Sequence, residues 1–149
     1  MLRLEGDRDL AHAAGALWSK LTDARFLAEC IPDVERVAVA EPRRLVCTIR
    51  PGLSFVRGSL EVAIEIADAV EGHSARYLTE TKGIGSQSTV ESTLTFLPQN
   101  GTTRVHWTAE IKHLGGLLKA VPQGLIKASA NKVVSDVWDA IERKLAEQK

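Results

Sequence analysis

The stretch Leu114-Gly-Gly-Leu-Leu-Lys-Ala-Val-Pro-Gln-Gly-Leu-Ile-Lys-Ala-Ser-Ala-Asn-Lys-Val-Val-Ser-Asp-Val-Trp-Asp-Ala-Ile-Glu-Arg-Lys-Leu145 decides the fold. Its apolar residues Leu118, Val121, Leu125, Ile126, Val133, Val134, Val137, Trp138, Ile141 and Leu145 recur mostly three or four apart. That spacing predicts a long helix with one buried face. The hundred residues before it alternate instead with a period of two, so one helix must cover a sheet. A rod held in a curved sheet leaves room for a ligand between the two.

Composition narrows the function. The chain has 149 residues, 44% of them apolar, enough for one domain with a substantial core. Nineteen basic and nineteen acidic residues cancel, so no global field attracts nucleic acid or an anionic surface. The N-terminal segment from Met1 to Leu10 carries Arg3, Glu5, Asp7, Arg8 and Asp9 and lacks the apolar core of a signal peptide. No apolar run approaches the roughly 18 residues needed to cross a bilayer, so membrane contact would be peripheral. Cys30 and Cys47 are too few for a disulfide framework and match no zinc spacing. They read as reduced thiols of a cytoplasmic protein.

Working backwards from the helix, Thr103–His113 alternates Val105, Trp107, Ala109 and Ile111 inward against Arg104, His106, Thr108, Glu110 and Lys112 outward. Asn100-Gly101 is a hairpin turn leading back to Ser86–Leu97, where Val90, Leu94 and Phe96 share a face. Ser74–Lys82 places Ala75 and Tyr77 together, and Val56–Ile66 alternates Leu60, Val62, Ile64 and Ile66 with polar residues. Arg44–Arg50 and Val34–Ala40 are strands joined at Glu41-Pro42-Arg43. Before them come two short helices, His12–Leu21 and Ala24–Cys30, the second capped at Thr22-Asp23. A strand containing Leu2 and Leu4 opens the chain. Short turns between successive strands imply an antiparallel meander of about seven strands, an α+β fold with the helices on one face.

Particular residues carry a family resemblance. Leu17-Trp18-Ser19-Lys20-Leu21-Thr22-Asp23, Cys30-Ile31-Pro32-Asp33-Val34-Glu35, Lys82-Gly83-Ile84-Gly85, and Gly101-Thr102-Thr103-Arg104-Val105 running on to Leu114-Gly115-Gly116-Leu117-Leu118 resemble the START-like (SRPBCC) superfamily. Within it, the chain looks most like the CoxG family of carbon monoxide dehydrogenase subunits. Members usually carry Gly where this chain has Asp33, and Pro commonly opens the first helix where this chain has His12-Ala13-Ala14. The resemblance implies a helix-grip fold and an elongated apolar cavity between the sheet and the C-terminal helix. It also implies binding of a lipid, an isoprenoid quinone or a similar molecule, in support of a molybdenum hydroxylase of the CO dehydrogenase type. Some members attach to membranes through an extension after the last helix, a route not expected for a chain ending at Lys149.

The inward faces collect the candidate pocket: Leu45, Cys47, Ile49, Val62, Ile64, Tyr77, Val90, Leu94, Val105 and Trp107 from strands, with Leu118, Val121 and Leu125 from the helix. The same alternation would also build a solid core. Tyr77 and Trp107 have polar tips that, if buried, need a partner, which could be a ligand head group or a backbone carbonyl. Pro122 predicts that the helix kinks or restarts there, and Gly115–Pro122 reads either as a lid or as a bend that follows the sheet. The histidines fall on solvent faces or at strand ends, so no metal site is expected, and no cofactor is implied. Neither cysteine lies at a helix N-terminus, and both read as structural. Gly83-Ile84-Gly85 lacks the third glycine and following helix of a nucleotide loop and reads as a turn. Three functions remain open on these grounds: a carrier of a hydrophobic molecule, an enzyme such as a cyclase, dehydratase or hydrolase, and a protein-binding assembly factor.

Overall fold

The structure, a computed structural model, describes residues 2–52 and 58–147. The strand pattern assembles as its polarity dictates, into a seven-stranded curved antiparallel sheet ordered β1-β7-β6-β5-β4-β3-β2. The strands are β1 (Leu2–Leu10), β2 (Val34–Glu41), β3 (Arg44–Ile49), β4 (Leu60–Val70), β5 (Ser74–Gly83), β6 (Ser86–Gln99) and β7 (Thr102–Gly116). The helices are α1 (Ala14–Leu21), α2 (Ala24–Ala28) and α3 (Gln123–Glu147). The first strand closes against the last, Leu2 opposite Ile111 and Leu10 opposite Thr103. The start of the predicted strand Val56–Ile66 lies outside the described residues; its described part is the first half of β4.

The terminal helix is shorter than the periodicity suggested. Gly115 and Gly116 continue β7, paired with Gln87 and Ser86. Gly116 has φ +62°, and a Cβ there would sit 1.9 Å from the Gly85 carbonyl oxygen, so only glycine fits the crossing. Leu117 then donates its N–H to that carbonyl at 2.9 Å, and Leu117–Ala120 forms one 3₁₀ turn. A 3₁₀ turn spaces its side chains three apart, which is why this stretch imitated the helix that follows. Pro122 precedes α3 and its carbonyl accepts from Leu125 and Ile126, so it starts the helix and introduces no kink within it. α1 likewise begins at Ala14 and α2 ends at Ala28, both shorter than expected.

At two turns a non-glycine residue enters the left-handed region. Asp33 has φ +64°, a left-handed conformation that glycine, asparagine or aspartate adopts most readily. The β5–β6 turn places Ile84 at φ +55° followed by Gly85 at +69°, the two-residue geometry whose twist matches an antiparallel hairpin.

The buried side chains form two groups. One joins Leu10, Leu17, Leu21, Phe26, Cys30, Phe96 and Val105 to Trp138, Ile141 and Leu145 of α3. The other packs α2 on the β3–β5 portion of the sheet through Ala24, Leu45, Cys47, Val62, Ile66, Ala75 and Tyr77. Leu27 and Leu94 touch both groups. Between the two groups the packing is incomplete, and that gap is the site.

Candidate functional site

A cavity of about 310 Å³ lies between the concave face of the sheet, the α1–α2 corner and the middle of α3. At roughly 30 Å³ of liquid per water, it would hold about ten waters' worth of volume. Its floor is Ile49 of β3, Val62 and Ile64 of β4, Tyr77, Thr79 and Thr81 of β5, Ser92 and Leu94 of β6, and Trp107, Thr108 and Ala109 of β7. Leu21, Leu27 and Ile31 close one side, and Val133, Val134, Val137, Trp138 and Ile141 form the roof.

Strand register explains how these side chains meet. On the concave face Ile64, Thr79 and Val90 form one rung across β4, β5 and β6; Val62, Thr81 and Ser88 form the next. A third rung runs Ile66, Tyr77, Ser92 and Ala109, a fourth Ala75, Leu94 and Trp107. Trp107 can lie flat toward β1 because its partner there is Gly6, where a Cβ would stand 2.9 Å from the indole. The α1–α2 corner is held from below. Tyr77 Oη donates to the Leu21 carbonyl at 2.6 Å, Trp18 Nε1 donates to the Ser74 carbonyl at 3.0 Å, and Arg43 donates to the Thr22 carbonyl. At the β1 edge α3 is tied by Arg8, 3.2 Å from Asp139 and 3.4 Å from Glu142.

Of the predicted pocket residues, Ile49, Val62, Ile64, Tyr77, Leu94 and Trp107 stand on the cavity wall. Leu45, Cys47 and Val105 do not: they are sealed in the two packed groups, at 0–1% exposure. Val90 faces inward but lies off the cavity, opposite Ile111. Leu118 and Val121 sit at the 3₁₀ turn, outside the wall, and Leu125 is 40% exposed, because α3 begins after Pro122 and turns other residues inward. The roof residues Val133, Val134 and Val137 belong to the helical pattern but not to the predicted pocket. Thr79, Thr81 and Ser92 were missed because they are polar, although the parity of Tyr77 and Leu94 already placed them on the same face.

Tyr77 takes the second of its two options. Its hydroxyl donates to the Leu21 carbonyl, and burial holds its ionisation far above the ordinary phenol range. Cys30 is buried, and desolvation pushes its thiol up to about 11. Burial raises Cys47 as well. The uncharged thiol is the resting form of both, unsuited to nucleophilic attack. His106 lies on the outer face, its Nδ1 2.9 Å from Asp7 Oδ1, and among the described residues no three His, Cys, Asp or Glu side chains are grouped to hold a metal. No described helix is long and apolar enough to cross a membrane.

Comparison with known proteins agrees with this architecture. Residues 6–146 match the CoxG family, described as the G subunit of carbon monoxide dehydrogenase. The chain belongs to that family. Among solved structures, a conserved protein from Geobacillus kaustophilus superposes with a TM-score of 0.87 at 22% identity, over 98% of this chain and 96% of that one. A START superfamily protein from Mycobacterium smegmatis gives 0.70 at 13% identity over 99% of both chains. A further protein from the same organism, Ms6760, gives 0.71 at 18% identity over 99% of this chain and 93% of the other. At these identities the structures establish the fold, a START-like helix grip. The comparison with curated proteins gave no match. Family and fold together point to a ligand-binding role.

Proposed function

We propose that this member of the CoxG family carries a small hydrophobic molecule, a lipid, isoprenoid quinone or similar compound, in the cavity under α3. The observation that supports this reading is the chemistry of the wall. Among the described residues lining it, Tyr77 is the only ionisable one, and its hydroxyl is already bonded to the protein. An acid–base enzyme needs a titratable group at its substrate; a carrier needs apolar surface. Burial of ligand surface at about 25 cal/mol per Å² contributes roughly 2.5 kcal/mol for every 100 Å² removed from water. The family name further supports a client of the CO dehydrogenase type, a molybdenum hydroxylase, with the carrier working in the cytoplasm.

Native mass spectrometry of freshly purified protein, followed by organic extraction, tests the reading. The expected result is an adduct that extracts into organic solvent as a neutral lipid-like molecule. Protein that arrives empty and also fails to bind an apolar fluorescent reporter would defeat it.

A further inference from the structure

The cavity wall is not uniformly apolar, and its polarity has a direction. On β5 the inward residues run Tyr77, Thr79, Thr81, and two-residue steps of about 6.7 Å place Thr81 roughly 13 Å from Tyr77. On the roof, Val133 to Ile141 spans about 12 Å of helix at roughly 1.5 Å per residue. The two walls are thus similar in length, and they run the same way. Thr81 lies near the Ile84-Gly85 turn, which Gly116 and Leu117 meet just before α3 begins. One end of the cavity is sealed, with Leu21 at 0% and Ile141 at 4% exposure; at the other, Val133 is 40% exposed. The hydroxyls of Thr79, Thr81 and Ser92 therefore form a ledge leading from the middle of the cavity toward its open end.

These hydroxyls differ in what they already hold. Thr81 shares a hydrogen bond with Ser88. Among the described residues no hydrogen bond within the protein engages Thr79 or Ser92, and no buried side-chain polar atom is left without a partner, so both hydroxyls open on the cavity. Each can donate one hydrogen bond and accept two. No Lys, Arg or His stands on the described wall, and Lys132, one residue from Val133, is paired with Asp136 at 2.7 Å.

We infer that the cavity selects an uncharged amphiphile. An oxygen-bearing neutral head group, a carbonyl or hydroxyl, rests on Thr79 and Ser92, and the apolar part fills the rest of the cavity. An ionised carboxylate of the same length is rejected, because two hydroxyls cannot replace the water it would lose. This rests on the carrier reading above and specifies its ligand.

Three chain-matched probes separate the two ideas: undecane, 2-undecanone and undecanoate, each displacing N-phenyl-1-naphthylamine at pH 8, where the acid is ionised. The ketone should bind about five-fold more tightly than the alkane, the worth of one hydrogen bond of about 1 kcal/mol. Undecanoate should be weaker than the ketone by at least about a hundred-fold. In the double variant Thr79→Val, Ser92→Ala the preference should invert, the ketone binding more weakly than the alkane because its buried oxygen then has no donor. Thr79→Ser alone, which retains the hydroxyl, should keep the preference and shows that any loss is not a folding defect. Alkane binding without a ketone preference, a preference that survives the double variant, or undecanoate within about ten-fold of the ketone overturns the head-group inference alone. If neither the reporter nor any probe binds the wild-type protein, the carrier reading fails and takes this one with it.

Discussion

The rung Phe96–Val105 and the rung Ser92–Ala109 lie on the same two strands and the same concave face, four residues apart, yet one is solid and the other hollow. At the first, Phe96 is 2% and Val105 0% exposed, packed with Leu10, Leu17 and Leu145. At the second, two small side chains face Val134 and Val137 across the cavity. The helix covers both rungs. What differs is the volume of the strand residues beneath it: a benzyl and an isopropyl group fill the gap, a hydroxymethyl and a methyl do not. A binding cavity here is a local shortage of side chain, made without any change of backbone plan.

The sharpest way to break this contrast is Phe96→Ala, expected to cost about 3–5 kcal/mol in denaturant unfolding, as truncating a fully packed aromatic does. A loss below roughly 1.5 kcal/mol would mean the solid end is not solid. Cys30 belongs to the same packed group. Its thiol titrates near 11 when folded and near 9.0 when free, so the folded state holds the extra proton between those values. Stability is fully present below pH 9 and falls as pH rises through 11, by about 2–3 kcal/mol. Cys30→Ala should flatten that alkaline decline; an unchanged decline would assign it to other groups. Tyr77→Phe probes the boundary between the two regions, leaving the Leu21 carbonyl without its donor at a cost of about 1–2 kcal/mol. The smallest effect on stability is expected from Ala109→Leu, within about 1 kcal/mol, because the added side chain enters empty space. Its effect on ligand is the reverse, with reporter affinity reduced at least ten-fold; full binding with a bulky residue at position 109 would place the ligand elsewhere.

Much of this arrangement was legible in the chain. Period-two alternation predicted every strand and assigned Val62, Tyr77, Leu94 and Trp107 to the inner face. The direct pairing of β1 with β7 needs three dimensions, because no turn joins them. The helix start was misread because Leu117, Leu118 and Val121 keep helical spacing through a 3₁₀ turn, while Gly116 bonds to the neighbouring hairpin. The cavity itself was only half legible. Ser92 and Ala109 have the correct parity, but a small inward residue reads as a weak core position unless its cross-strand neighbour is known to be small too. Leu45 and Val105 look like lining residues by the same alternation and turn out to be filled core. Sequence gives the face; the sum of volumes across a rung decides whether that face is wall or core.

The β1–β7 pairing also sets a schedule for synthesis. Leu2 must wait for Ile111, about a hundred residues later in the chain. At roughly 5–20 residues per second, the first strand leaves the ribosome about 5–20 s before its partner exists. During that interval Leu4, buried in the finished sheet, lacks its cross-strand neighbour Ala109. The sheet can therefore close along this edge only once β7 has been made.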